Sequence, residues 1–88
     1  MTNANDTVSA VVRACMGLTG DNQDDVARVL GLTRPAVTAR LAGRTRWTVI
    51  ELELLGAHYG VEPAAFLDLS RLGLLVNLPS ADARRPTG

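Results

Sequence analysis

Apolar residues recur along this chain at the three- and four-residue spacing that marks one face of a helix. Val8, Val11, Val12 and Cys15 form the first such stripe and predict a helix over about 8–17. Thr7 is its expected N-cap, and Gly17 with Gly20 its expected end. Asn22 then stands where it can cap a helix over about 23–30, with Asp24 and Asp25 in the first turn, where negative charge suits the helix dipole. Val26, Ala27, Val29 and Leu30 supply the apolar face of that helix, and Gly31 stops it. Thr33 caps a third helix whose first turn holds Pro35, where a missing N–H costs nothing. Val37 and Leu41 share one of its faces, and Gly43 closes it. The stretch Thr48-Val-Ile-Glu51 reads as a capping box opening a fourth helix with Leu52, Leu55 and Tyr59 facing inward and Gly60 at its end. Glu62 and Pro63 begin a short fifth helix, with Phe66 and Leu67 expected to pack inward.

The predicted fold class is therefore all-α, a compact bundle of about five short helices followed by a C-terminal apolar segment. Residues 1–6 read as a flexible N-terminus and 7–68 as the folded domain. In 69–79, Leu69, Leu72, Leu74, Leu75, Val76 and Leu78 form an apolar run broken by Gly73 and stopped by Pro79. Two readings of this run stand side by side: a dimer contact, as helix or added strand, and a segment folded back on its own chain's core. Residues 80–88, with Arg84, Arg85 and Pro86, read as a disordered tail.

Composition adjusts this picture in three ways. A chain of 88 residues lies near the lower end of what one apolar core can stabilise, and only Trp47, Tyr59 and Phe66 are aromatic. The core must be built from Leu, Val, Ala and Ile, and dimerisation is a natural way to add buried area. Cys15 is alone, so no intrachain disulfide is possible; with no membrane-length apolar run and no signal-peptide pattern at Met1–Asp6, a cytoplasmic protein is expected. Formal net charge is zero, but its distribution is not even. Arg28, Arg34, Arg40, Arg44 and Arg46 lie between Val26 and Ile50 with no acidic residue among them. Asp21, Asp24 and Asp25 precede that window, and Glu51 and Glu53 follow it. Local potential steers a polyanion, and overall neutrality does not cancel it at a Debye length of about 8 Å.

Two short helices joined by a tight Gly-containing turn are the helix-turn-helix arrangement. The stretch Gln23-Asp-Asp-Val-Ala-Arg-Val-Leu-Gly-Leu-Thr-Arg-Pro-Ala-Val-Thr38 resembles the Cro/C1 (Xre-type) helix-turn-helix family of phage and small bacterial repressors. Gln23 opening helix 2, Ala27 at the helix crossing, Gly31 at the turn, Thr33 as cap and Val37 as the seating residue carry the likeness. It continues through Gly43, Glu51-Leu52 and Tyr59-Gly60-Val61, and spans about residues 8–68. At Arg40-Leu41 the chain departs from the family, which commonly has an apolar residue and then an acid there. An Arg-Leu-x-Gly followed by Trp-Thr is similar to an actinobacterial variant, in which Trp47 belongs to the packing.

What the resemblance implies is a lambda-repressor-like fold and a regulator that binds double-stranded operator DNA as a homodimer. The first turns of a recognition helix face base edges, and surrounding groups grip phosphates. Arg34, Pro35, Thr38 and Ala39 are the expected base readers. An arginine bonds guanine at O6 and N7, and Ala39 suits a thymine methyl. Gln23, Thr33, Arg44 and Arg46 are the expected backbone-gripping residues, and Arg40 is open between reader and clamp. Leu69, Leu72, Leu74, Leu75, Val76 and Leu78 are the dimerisation candidates. No metal, cofactor, small-molecule ligand or membrane is expected, and no nucleophile–base pair, phosphate-cradling loop or ligand cluster suggests an enzyme. Cys15 reads as a small core residue, and Trp47 as packing rather than a base-stacking platform. The competing class is an antitoxin or adaptor that keeps this fold and binds a protein partner, for which the acid-free arginine window has no use.

Overall fold

The computed structural model describes residues 3–68. Among them are four α-helices, α1 (Ala4–Thr19), α2 (Gln23–Leu30), α3 (Arg34–Leu41) and α4 (Val49–Tyr59), then a 3₁₀ turn, η1 (Pro63–Leu67), and no strand. The expected fifth helix is thus a single 3₁₀ segment. The C-terminal run 69–79 and the tail 80–88, with the two readings of that run, lie outside the described residues.

Capping chemistry sets the helix starts. Asn22 accepts from the Asp25 N–H at 2.8 Å while the Asp25 carboxylate accepts from the Asn22 N–H at 2.9 Å. Thr48 and Glu51 repeat this reciprocal pair at the start of α4. Each pair satisfies two backbone donors that a helix N-terminus otherwise leaves without partners. Thr33 caps α3 by accepting from the Ala36 N–H at 3.3 Å. The first helix departs from expectation at both ends. Its N-cap is Asn3, which accepts from the Asp6 N–H, and Thr7 lies inside the helix with its hydroxyl donating to the Asn3 carbonyl. Residues Ala4–Asp6 are therefore its first turn rather than part of a flexible end. At the other end, Gly17 is tolerated on an exposed face, and the helix runs on until Gly20 takes the left-handed conformation at φ 82°.

The helices close on one core. Val8, Val11, Val12 and Cys15 of α1 meet Val26, Ala27 and Leu30 of α2, Val37 and Leu41 of α3, and Leu52, Leu55 and Tyr59 of α4. Phe66 plugs it from η1 with no exposed surface. Leu67, expected beside it, is instead 52% exposed. A 3₁₀ turn advances about 120° per residue, so neighbours on so short a segment point to different sides. Gly56 lies where α4 touches the η1 segment: a Cβ there would sit 2.5 Å from the Val61 carbonyl oxygen. That oxygen's own chain returns a bond, Val61 N–H to the Gly56 carbonyl at 2.9 Å. Close backbone approach explains a helix-interior glycine that otherwise weakens the helix.

Candidate nucleic-acid interface

Between α2 and α3 the chain needs three residues, Gly31-Leu32-Thr33. Gly31 makes this possible by adopting φ 67°, a left-handed conformation other residues take at a cost. The Leu32 N–H bonds the Ala27 carbonyl at 2.9 Å, which ties the turn to α2. The two helices are then joined side to side by a polar bond: the Thr38 hydroxyl donates to the Gln23 side-chain oxygen. Thr38 also lies 3.1 Å from the Arg34 carbonyl, the alternative acceptor for its single proton. Both are half-buried, so Thr38 and Gln23 hold the two-helix unit together before they meet anything outside.

The first turn of α3 is turned outward. Thr33, Arg34 and Pro35 are exposed, and the Arg34 guanidinium stands 3.7 Å from the Asp24 carboxylate across the turn. Both side chains keep most of their surface in water, 63% and 56%, so this contact leaves the arginine available. Arg34, Pro35, Thr38 and Arg44 line one shallow, open depression of about 330 Å³. Arg44 arrives there because its N–H, with that of Thr45, bonds the Ala39 carbonyl and folds the post-α3 loop back along the helix. Ala39 is half-buried.

Two expected contacts part company with this face. Arg40 is the plainest correction. Its Nε donates to Glu51 Oε1 at 2.9 Å, its Nη1 donates to the Ala36 carbonyl at 3.1 Å, and only 12% of its side chain is exposed. It joins α3 to the start of α4, its guanidinium turned to Glu51, a carboxylate that desolvates with it, and away from the exposed first turn. Arg46 is exposed but lies elsewhere, lining a groove with Trp47 and the first turn of α1. Thr33 stays exposed at the start of this face, its hydroxyl oxygen accepting in the cap and its O–H proton left to donate.

Residues outside the sequence-based set secure the far end of α3. Ser9 donates to the Arg40 carbonyl at 3.0 Å and Arg13 to the Leu41 carbonyl at 3.2 Å, satisfying acceptors that a helix C-terminus leaves without partners. The Trp47 indole N–H donates in turn to Ser9 at 2.9 Å, and its backbone N–H to Asn5. Ser9 and Arg13 fall on α1 at i, i+4, which was the only signal in the sequence that they act together. Asp24, read from sequence as a dipole residue, gains a second role beside Arg34.

Two core groups are displaced from ordinary ionisation. Burial pushes the Cys15 thiol up from 9.0 to about 11, so it is an unreactive core thiol. Burial, and then the nearby Asp21 carboxylate, raise the Tyr59 hydroxyl further still. Asp21 itself lies 2.7 Å from His58 Nε2, joining the α1–α2 turn to the end of α4. Among the described residues no His, Cys, Asp or Glu group could hold a metal ion, and no helix is long and apolar enough to cross a membrane.

Comparison with family models, curated proteins and solved structures finds no match.

Proposed function

We propose that this chain is a sequence-specific double-stranded-DNA-binding regulator of transcription, with α2, the Gly31 turn and α3 acting as a helix-turn-helix. α3 lies in a major groove with its first turn toward the bases. The observation that carries the proposal is the division of α3. Arg34 and Pro35 are exposed at the N-terminal end beside Arg44, while the C-terminal end is fixed by Arg40–Glu51, Ser9 and Arg13. A helix fixed at its far end with an exposed arginine at its leading end matches what base readout requires. Arg34 reads guanine, Ala39 and Pro35 contribute shape, and Arg44 grips a phosphate. Gln23, its oxygen taken by Thr38, retains an NH₂ group to donate to a phosphate. Such a short reader covers few base pairs, so two copies bind an inverted repeat with half-sites about 10 bp apart. The chain binds rather than catalyses, and it works in the cytoplasm.

One observation favours a second reading. Val49 and Ile50 are 70% and 69% exposed at the start of α4, and Leu54 follows them on its outer side. An apolar helix face of this kind suits an antitoxin or adaptor whose partner is a protein. Binding-site selection from a random duplex library at moderate salt separates the two. An enriched inverted repeat supports the regulator. Weak, salt-sensitive binding without enrichment supports the interaction module.

A further inference from the structure

Away from the residues of the α3 face, a groove of about 580 Å³ opens between the first turn of α1, the α3–α4 loop, the start of α4 and the end of η1. Its apolar lining is Val8, Trp47, Val49, Leu52 and Leu67. Val8 and Leu52 are buried core residues that reach this surface, whereas Val49 is 70% and Leu67 52% exposed. Two large apolar side chains are thus left to water at the edges of a depression that runs down to the core.

The described chain ends at this groove. Leu67 is part of its wall, Asp68 follows, and the next residues are the apolar run Leu69, Leu72, Leu74, Leu75, Val76 and Leu78. We propose that the groove is the docking site of this chain's own segment 69–78, which covers Val49, Leu67 and Trp47. Reach is no obstacle. Ten residues span at most about 36 Å extended or about 15 Å as helix, and the first of them starts two positions from the wall. That short tether gives the segment an effective concentration of about millimolar or higher at the groove, which a free second copy does not match in dilute solution. Arg71 is the single charged residue of the run, and Asp6 on the groove's lining offers it a carboxylate; the lining's other charge is Arg46. This proposal stands apart from the DNA reading and survives if that reading fails.

Trp47 is the chain's only tryptophan and lines this groove, so its fluorescence is a single reporter placed there. The test compares the full chain with its Leu72→Asp/Leu75→Asp variant by Trp47 emission and acrylamide quenching over a range of protein concentrations. The expected result is a shift to longer wavelength and stronger quenching in the variant, the same at every concentration. A second measurement uses full chains carrying Val49→Cys together with Leu69→Cys, Leu72→Cys or Leu75→Cys under mild oxidation. Val49 is exposed at the first position of α4, so its replacement leaves the core intact, and the buried Cys15 does not compete. A disulfide-linked monomer supports the proposal. A covalent dimer, or a Trp47 shift that follows dilution, overturns it in favour of a second copy. Unchanged emission with no crosslink overturns it outright.

Discussion

Arg34 and Arg40 stand six residues apart on one short helix, yet they share almost nothing but their chemistry. Arg34, at the leading end of α3, is 63% exposed and meets only the loosely held Asp24. Arg40, at the trailing end, is 12% exposed and spends its donors on Glu51 and the Ala36 carbonyl. What separates them is the neighbourhood: α4 begins beside Arg40 with a carboxylate already aimed by its capping box, whereas among the described residues nothing folds over Arg34. One arginine fixes the helix, and the other is left for something outside the chain. A window of arginines in a sequence is therefore two populations, and only tertiary structure sorts them.

The largest way to break this comparison is Glu51→Ala. It removes one half of the α4 capping box and leaves the Arg40 charge nearly buried without its carboxylate, a loss of about 3 to 5 kcal/mol that urea unfolding would measure. A loss under about 1 kcal/mol would mean that the pair is not structural. Arg34→Ala should do the opposite. Stability should move by less than about 0.5 kcal/mol, while binding to a selected duplex falls by about 1 to 3 kcal/mol and discrimination at one base pair relaxes. Alkaline titration probes the core instead. Because folding raises the Cys15 pKa, its contribution to stability is fully present below pH 9.0 and is lost as pH rises toward about 11. Tyr59 is displaced in the same direction and adds to the loss at higher pH. Thermal melts should therefore fall above about pH 9 in wild type, and Cys15→Ser should flatten the first part of that fall. The smallest effect is expected from Asp24→Asn. Removing a carboxylate beside Arg34 should tighten binding to random duplex by under about 1 kcal/mol and so narrow the gap between selected and random DNA. An unchanged gap would leave Asp24 with its dipole role alone.

Most of the helix boundaries were legible because capping is local. Asn22, Thr33 and Thr48 name their helix starts within three residues, and Gly31 and Gly60 name two ends. The start of α1 escaped notice for a reason of the same kind. Asn3 caps a first turn of polar residues that carries no apolar period until Val8. Leu67 departs from expectation because η1 is one short 3₁₀ turn that buries Phe66, and the adjacent residue points to another side. The candidate face divides likewise. Arg34 and Arg44 are brought together by α3 and the loop that folds back on it through the Ala39 carbonyl. Arg40 was undecidable, since its direction depends on a carboxylate eleven positions later that local rules assign only to a cap. Thr38 and Gln23 read in sequence as two separate DNA contacts, and their mutual bond is a fact of helix crossing.

The central claim is that the first turn of α3 reads bases. Its most direct test is the affinity of wild type and Arg34→Ala for a selected duplex and for that duplex substituted at each base pair in turn. The account predicts that wild type discriminates strongly at a guanine in each half-site, and that Arg34→Ala loses discrimination there and keeps it elsewhere. Wild type binding every duplex alike, or Arg34→Ala weakening all of them equally, would contradict it.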